Sequence, residues 1–293
     1  MKQYKQTVEA ILPLNEEIMN KVSDYVDSLT KPLGSLGRIE ELAIQLAGIT
    51  DREKPTVEKP AIIVAAADHG ITAEGVSAYP QEVTKQMIAN FLNGGAAINV
   101  FGRQIGADVH ILDVGVNGEV LGEGYIDRKV MNGTNNFLRE DAMSVEQAVE
   151  AIEAGMLEAE RLIEAGHEVL IIGEMGIGNT TASSALIAAF TGANVAEVVG
   201  RGTGLDDRSH ENKINIINEA LKNRQVDKTN GLETLAKVGG LEIAALSGVI
   251  LKAAAMRIPV IVDGLISTAA ALTAYELCPM IIGQSSYAVK AAA

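Results

Sequence analysis

The residues best placed for chemistry run from Glu168 to Ala185, E-V-L-I-I-G-E-M-G-I-G-N-T-T-A-S-S-A. Val169, Leu170, Ile171 and Ile172 predict a buried parallel strand. Gly173, Gly176 and Gly178 predict a turn, and Asn179, Thr180 and Thr181 open a helix. At such a junction the first helical N–H groups have no intrahelical partner, and the aligned peptide dipoles leave partial positive charge there. Glycines let an anion approach that backbone, so the chemistry on offer is phosphate binding. The spacing Gly173-x4-Gly178-Asn179-Thr180 follows the phosphate loop of nucleotide triphosphatases, except that Asn179 stands where that loop needs Lys. Without the lysine, ATP hydrolysis is disfavoured and a lone monophosphate favoured. The order Gly-x-x-Gly-x-Gly also departs from the dinucleotide fingerprint. A tight β-to-α turn with no ligand is the plainer alternative.

A second glycine turn, Gly200-Arg201-Gly202-Thr203-Gly204, precedes Leu205-Asp206-Asp207 and a predicted helix through Leu221. Its free amides can face the same ligand. Lys213, in the second turn of that helix, either adds charge to the site or is an ordinary solvated cation. Asp68-His69-Gly70 closes the apolar run Ala61 to Ala67, and Asp263-Gly264 closes the predicted strand Pro259 to Val262. Open α/β sheets place ligands at such carboxyl ends, although an Asp there can equally cap the next turn. Lys31 and Arg38 bracket Pro32-Leu33-Gly34-Ser35-Leu36-Gly37, which is either a plain connection or a loop whose cations reach an anion.

These groups need a scaffold, and the chain supplies alternating strand and helix signals. Helices are predicted over Ile11 to Leu29, Arg38 to Ile49, Glu82 to Phe101, Ser144 to Ala165, Gly231 to Ala255 (with a kink at Gly239-Gly240) and Ser267 to Leu277. Ser144 and Gln147 form a capping-box pair, and Gly166 stops that helix. Asp108 to Val114 predicts another buried strand, and the glycine-rich stretch Gly115 to Thr134 a surface excursion. The fold class is therefore α/β, a Rossmann-like, mostly parallel sheet flanked by helices. Residues 1–55 form an N-terminal helical segment, 56–280 the α/β domain, and 281–293 an atypical tail.

Composition narrows the partners. A net charge of −14 argues against nucleic acid, whose binding needs clustered Lys and Arg. Cys278 is the only cysteine, which excludes an intrachain disulfide and a cysteine-based zinc site, and a reducing cytoplasm fits. Met1 to Leu14 lacks a signal-peptide core. The most apolar window, Ile243 to Val262, is interrupted by Lys252, Arg257 and Pro259, so no membrane span is expected.

Seven segments, in this order, resemble one family, the nicotinate-nucleotide:dimethylbenzimidazole phosphoribosyltransferases of cobalamin biosynthesis. They are L-T-K-P-L-G-S-L-G-R-I-E-E-L (29–42), A-D-H-G-I (67–71), E-G-V-S-A-Y-P-Q-E-V-T (74–84), N-G-G-A-A-I-N (93–99), G-E-M-G-I-G-N-T-T (173–181), G-R-G-T-G (200–204) and V-D-G-L-I (262–266). The resemblance implies transfer of phosphoribose from nicotinate mononucleotide to 5,6-dimethylbenzimidazole. It also implies a smaller helical domain built partly from the N-terminal region, and a homodimer with no cofactor and no required metal. By motif, Tyr79 and Gln86 would line the benzimidazole pocket. Gly176, Gly178 and Gly202 would offer amides to the phosphate, with Asn179, Thr180, Lys213 and Asp263 also binding substrate, while Glu174 would sit beside the reacting centre. Family members usually continue with a Ser/His-rich segment and a later Arg-Leu-Gly-Glu-Gly-Thr-Gly segment, whose glutamate is taken as the general base. Neither follows Leu277 here, which leaves Glu174 as the candidate base in this sequence. The competing expectations are a catalytically impaired binding protein of the same fold and a transferase using phosphoribosyl pyrophosphate.

Overall fold

The computed structural model describes residues 2–282 except 121, 123, 203 and 205, together with the backbone of 285–287. Helices α1 (Lys2–Glu9), α2 (Glu16–Ser28) and α3 (Arg38–Thr50) precede the central strand β1 (Pro60–Ala67). Next come α4 (Glu82–Leu92), α5 (Ala97–Ile105), β2 (Asp108–Gly115), β3 (Tyr125–Asp127) and α6 (Val145–Glu164). The chain continues through β4 (Val169–Met175), α7 (Asn179–Thr191), α8 (Val195–Val198), α9 (Asp207–Asn223), α10 (Gly231–Val238) and α11 (Leu241–Ala255). It closes with β5 (Val260–Val262), α12 (Leu265–Leu277) and β6 (Ser285–Tyr287).

The strands form one parallel sheet in the order β3-β2-β1-β4-β5-β6. Chain order reverses between β1 and β4, and in doubly wound sheets the crevice beyond the carboxyl ends at that point is the ligand site. β1 is buried along its whole length because helices cover both faces. Ala61, Ile63, Ala65 and Ala67 join the larger core, with residues of α6, α7, α10, α11 and α12. Ile62, Val64 and Ala66 join a smaller one with Ile88 and Phe91 of α4. Small residues bring the helices of the larger core close. A Cβ at Gly155 of α6 would lie 1.8 Å from the Ala245 carbonyl oxygen, and one at Gly248 of α11 1.9 Å from that of Ile152.

The sequence expectations for β1, β2, α3, α6, α9, β5 and α12 match to within two residues of each boundary, and α7 starts at Asn179 as expected. The capping box at α6 is present, with Gln147 N–H donating to Ser144 Oγ at 3.2 Å and Ser144 N–H to Gln147 Oε1 at 2.8 Å. Several expectations are corrected. The helix predicted from Ile11 starts at Glu16, where Asn15 Oδ1 caps Ile18 N–H, and an unexpected α1 precedes it. The helix predicted over Glu82 to Phe101 is two helices, separated at Asn93-Gly94-Gly95, with Gly94 at φ +73°. The kink at Gly239-Gly240 is a full break between α10 and α11. The excursion after Gly115 contains β3, paired to Ile111, Leu112 and Asp113. Gly173 lies inside β4, opposite Val64, not in a turn; a Cβ there would come within 3.1 Å of Ile98 of α5. The turn is therefore Gly176-Ile177-Gly178 alone.

α2 and α3 share a small core of Val22, Val26 and Ala47, whereas Tyr4, Val8 and Ile11 pack into the larger core. Among the described residues no helix is long and apolar enough to cross a membrane.

Candidate active site

At the sheet's reversal point, β1 ends in Asp68-His69 and β4 ends in Glu174-Met175, followed by the glycine turn into α7. Gly178 is at φ +99°, a conformation that favours glycine, and it directly precedes the first residue of the helix. Ile177 N–H is held by the buried Thr84 hydroxyl at 3.0 Å. The amide of Asn179 donates to Glu174 Oε2, tying the first residue of α7 to the carboxylate at the end of β4.

Behind this turn stands Lys213 of α9, fully buried, its ammonium donating to Thr180 Oγ1 at 2.8 Å. No carboxylate lies within ion-pair distance of it among the described residues. Burial pushes its pKa down to about 8. A buried ammonium satisfied only by a neutral hydroxyl is costly unless an anion completes the site. The second glycine turn arrives at the same place: a Cβ at Gly202 would lie 3.4 Å from Thr180 Oγ1 and 3.7 Å from Lys213 Nζ.

The two turns open onto one hollow of about 340 Å³, lined among others by Glu174, Gly176, Gly178, Asn179, Thr180 and Gly202. Val76 and Ser77 form another wall, and Met175 and Ile266 add apolar surface. The volume suits a small ligand. Tyr79 and Gln86 do not line it; Tyr79 is 52% exposed, two residues beyond Ser77, and Gln86 is exposed on α4. Asp263, exposed after β5, also lies outside the lining. Lys31 pairs with Glu40 at 2.9 Å and Arg38 with Glu41 at 2.5 Å, so both have partners on α3. Asp206 caps α9 by accepting Ser209 N–H at 2.8 Å, and Asp207 pairs with Arg201, so this acidic pair is already engaged within the chain.

Beneath the hollow lies a partner that no sequence pattern singled out. Glu242, in the first turn of the largely apolar α11, accepts from His69 Nε2 at 2.8 Å, and both side chains are wholly buried. Three glycines make room for the imidazole. A Cβ at Gly176 would sit 3.1 Å from His69 Nε2, one at Gly178 3.2 Å from His69 Cβ, and one at Gly240 2.5 Å from His69 Cε1. The available signal was a lone carboxylate at the start of a helix with no polar face, since a buried charge requires a partner. Asp68 Oδ2 accepts Asn117 N–H at 2.8 Å.

These groups shape one another's protonation. Burial alone would lower the His69 pKa, but the charge and hydrogen bond of Glu242, with Asp68 and Glu174 nearby, raise it overall. Burial also raises Asp68, against its hydrogen bonds. Glu174 is raised to about 7, first by burial and then by the charge of Glu242, while Asn179 and His69 oppose the rise. A carboxyl poised there can accept a proton near neutral pH. Among the described residues, no three His, Cys, Asp or Glu ligand atoms gather within metal-binding reach in this hollow. The arrangement can hold a phosphate on two sets of amides and an ammonium, with a carboxylate beside the attached group.

Residues 11–289 match a phosphoribosyltransferase family. The nicotinate-nucleotide–dimethylbenzimidazole phosphoribosyltransferase of Chloroflexus aggregans is 53% identical over 94% of this chain and 79% of that protein. The similarly named protein of Halalkalibacterium halodurans is 48% identical over 96% of this chain and 79% of its own length. The crystal structure of CobT from Thermus thermophilus superposes with a TM-score of 0.88 at 43% identity, covering 92% of this chain and 81% of that one.

Proposed function

The chain belongs to this phosphoribosyltransferase family, and on that premise we propose that it transfers phosphoribose from nicotinate mononucleotide to a ring nitrogen of 5,6-dimethylbenzimidazole, in assembly of the cobalamin lower ligand. The supporting observation is the buried Lys213, without a carboxylate in ion-pair distance among the described residues, at the meeting point of two glycine turns where the ribotide's phosphate would bind.

In the proposed step the bond from C1′ to the pyridinium nitrogen breaks, and its electron pair stays with nicotinate, which leaves as a neutral ring needing no general acid. A nitrogen lone pair of the azole forms the new bond to C1′, and the azole N–H proton passes to a base. Anchoring the phosphate fixes C1′ relative to the acceptor, and an anionic carboxylate stabilises positive charge developing on the ribose. Glu174, which lines the hollow and whose pKa burial raises to about 7, is proposed for that role and for taking the proton. The acceptor ring is assigned to the apolar side of the hollow, between Val76, Met175 and Ile266. Tyr79, carried on the same loop as Val76, and Gln86 are proposed as its outer contacts.

Incubation with nicotinate mononucleotide and dimethylbenzimidazole, followed by chromatography, is expected to show equimolar nicotinate and α-ribotide without added metal. Binding of both substrates without turnover would assign this chain a non-catalytic role, and pyrophosphate release with strict Mg²⁺ dependence would replace the proposed donor.

We further propose that the active form is a cytoplasmic homodimer. Leu33, Ile39, Phe101 and Ile105 are exposed by 75%, 66%, 64% and 55%, apolar surface that a subunit interface would remove from water. Sedimentation at twice the monomer mass is expected.

A further inference from the structure

The amino ends of the strands, opposite the glycine turns, carry a second group of chemically capable side chains. Asp108 opens β2 and His110 follows two residues later, so both project from the same face of the strand. His167 stands in the turn between α6 and β4. One ligand atom from each of the three lies within 4.8 Å of the other two. His167 Nε2 is 3.9 Å from Asp108 Oδ2, and the two imidazoles meet edge to face with centroids 6.2 Å apart. Asp108 pairs in register with Ala61 and Glu174 with Ala65, so the group lies toward the opposite end of the sheet from the hollow.

Two further observations favour a cation there. His110 Nε2 and His167 Nδ1 are shut from solvent and have no hydrogen-bond partner among the described residues, a costly state for a polar atom. The neighbouring cation, Arg161, whose NH2 is 3.3 Å from His110 Nδ1, is already held by both oxygens of Glu158, at 3.0 and 2.5 Å. Its charge is therefore compensated locally, while Asp108 has no Lys or Arg partner among the described residues.

We propose that Asp108, His110 and His167 bind a single divalent transition-metal ion, clamping the start of β2 to the turn that leads into β4. Two imidazoles and one carboxylate suit zinc, cobalt or nickel better than magnesium or calcium, which prefer oxygen ligands alone. Modest side-chain rotation would bring the three atoms to ligand distances. The side chain of Asp108 is 73% exposed, so water can reach the ion and complete its coordination.

The test needs no turnover, so it stands or falls independently of the transferase proposal. The untagged full chain, stripped with a chelator, is titrated with Co²⁺ followed by Zn²⁺. One equivalent of Co²⁺ with the strong visible absorption of a low-coordinate ion is expected, displaced by Zn²⁺ but not by excess Mg²⁺. Asp108→Asn, His110→Gln and His167→Gln should each weaken binding by more than about tenfold, since even outer-shell partners carry that much in metal sites. Asp108→Asn changes an exposed side chain and serves as the variant least able to disturb folding. Absence of saturable uptake, equal competition by Mg²⁺, or uptake unchanged in Asp108→Asn and His167→Gln would overturn the site.

Discussion

Glu174 and Lys213 are both displaced from their ordinary protonation by burial, in opposite senses, and each shift leads to a measurement. Glu174→Gln keeps shape but removes the proton acceptor, so kcat is expected to fall by about 10²- to 10⁴-fold. In the parent protein the acidic limb of the kcat/KM profile is expected near pH 7. Unchanged kinetics would remove Glu174 from the mechanism. The same shift also bears on stability. Because the folded-state pKa of Glu174 is raised from 4.5 to about 7, the native state holds more protons than the unfolded chain across that interval. Stability contributed by this group is present below pH 4.5 and lost as pH rises through about 7, a swing of roughly 3 kcal/mol that Glu174→Gln should flatten in urea titrations. Lys213→Ala should raise KM for nicotinate mononucleotide by at least about tenfold and leave that for dimethylbenzimidazole within about twofold, as expected for a charge-assisted contact made to one substrate alone. Equal losses for both substrates would make the lysine structural.

Among the elements, α6 and α11 set the tightest tolerance. Gly248→Ala would gain about 1 kcal/mol of helix propensity, yet its Cβ would sit 1.9 Å from the Ile152 carbonyl oxygen and force the helices apart. Overpacking of this severity costs roughly 3 kcal/mol or more, so the variant should unfold at lower urea concentration with an unchanged m-value. The elements also show where sequence patterns carry information. Ala61 to Ala67 was legible as a strand because both faces are buried, and α6 because Ser144 and Gln147 form a cap that depends only on neighbours three residues apart. The three residues of β3 were illegible within a glycine-rich stretch, since so short a strand is defined by its pairing to β2. Gly173 was misplaced because a glycine that gives room to a neighbouring helix looks in sequence like a glycine that turns the chain.

At the scale of the whole molecule, the sheet order brings together groups that the chain keeps far apart. Gly176 and Gly202 could be linked from sequence because both precede helices. His69 and Glu242 could not, since 173 residues separate them and no periodicity relates them. Their contact follows from α11 packing across the end of β1, a tertiary event that local patterns do not encode. Tyr79 and Gln86 were named through the resemblance and Asp263 also from its place at the end of a strand, and all three lie outside the hollow's lining.

Lys213 has a final consequence for the protein as a thermodynamic object. With its folded-state pKa lowered from 10.5 to about 8, the ligand-free chain carries fewer protons than its unfolded form between those values, so it should gain stability as alkalinity increases there. A bound phosphate would supply the missing counter-charge and cancel that gain. Inorganic phosphate should therefore raise Tm most at pH 7 and progressively less toward pH 10, a trend readable by calorimetry on substrate-free protein. In this sense the core is left one ion short of complete, and occupancy of the site finishes the folding of the region around it.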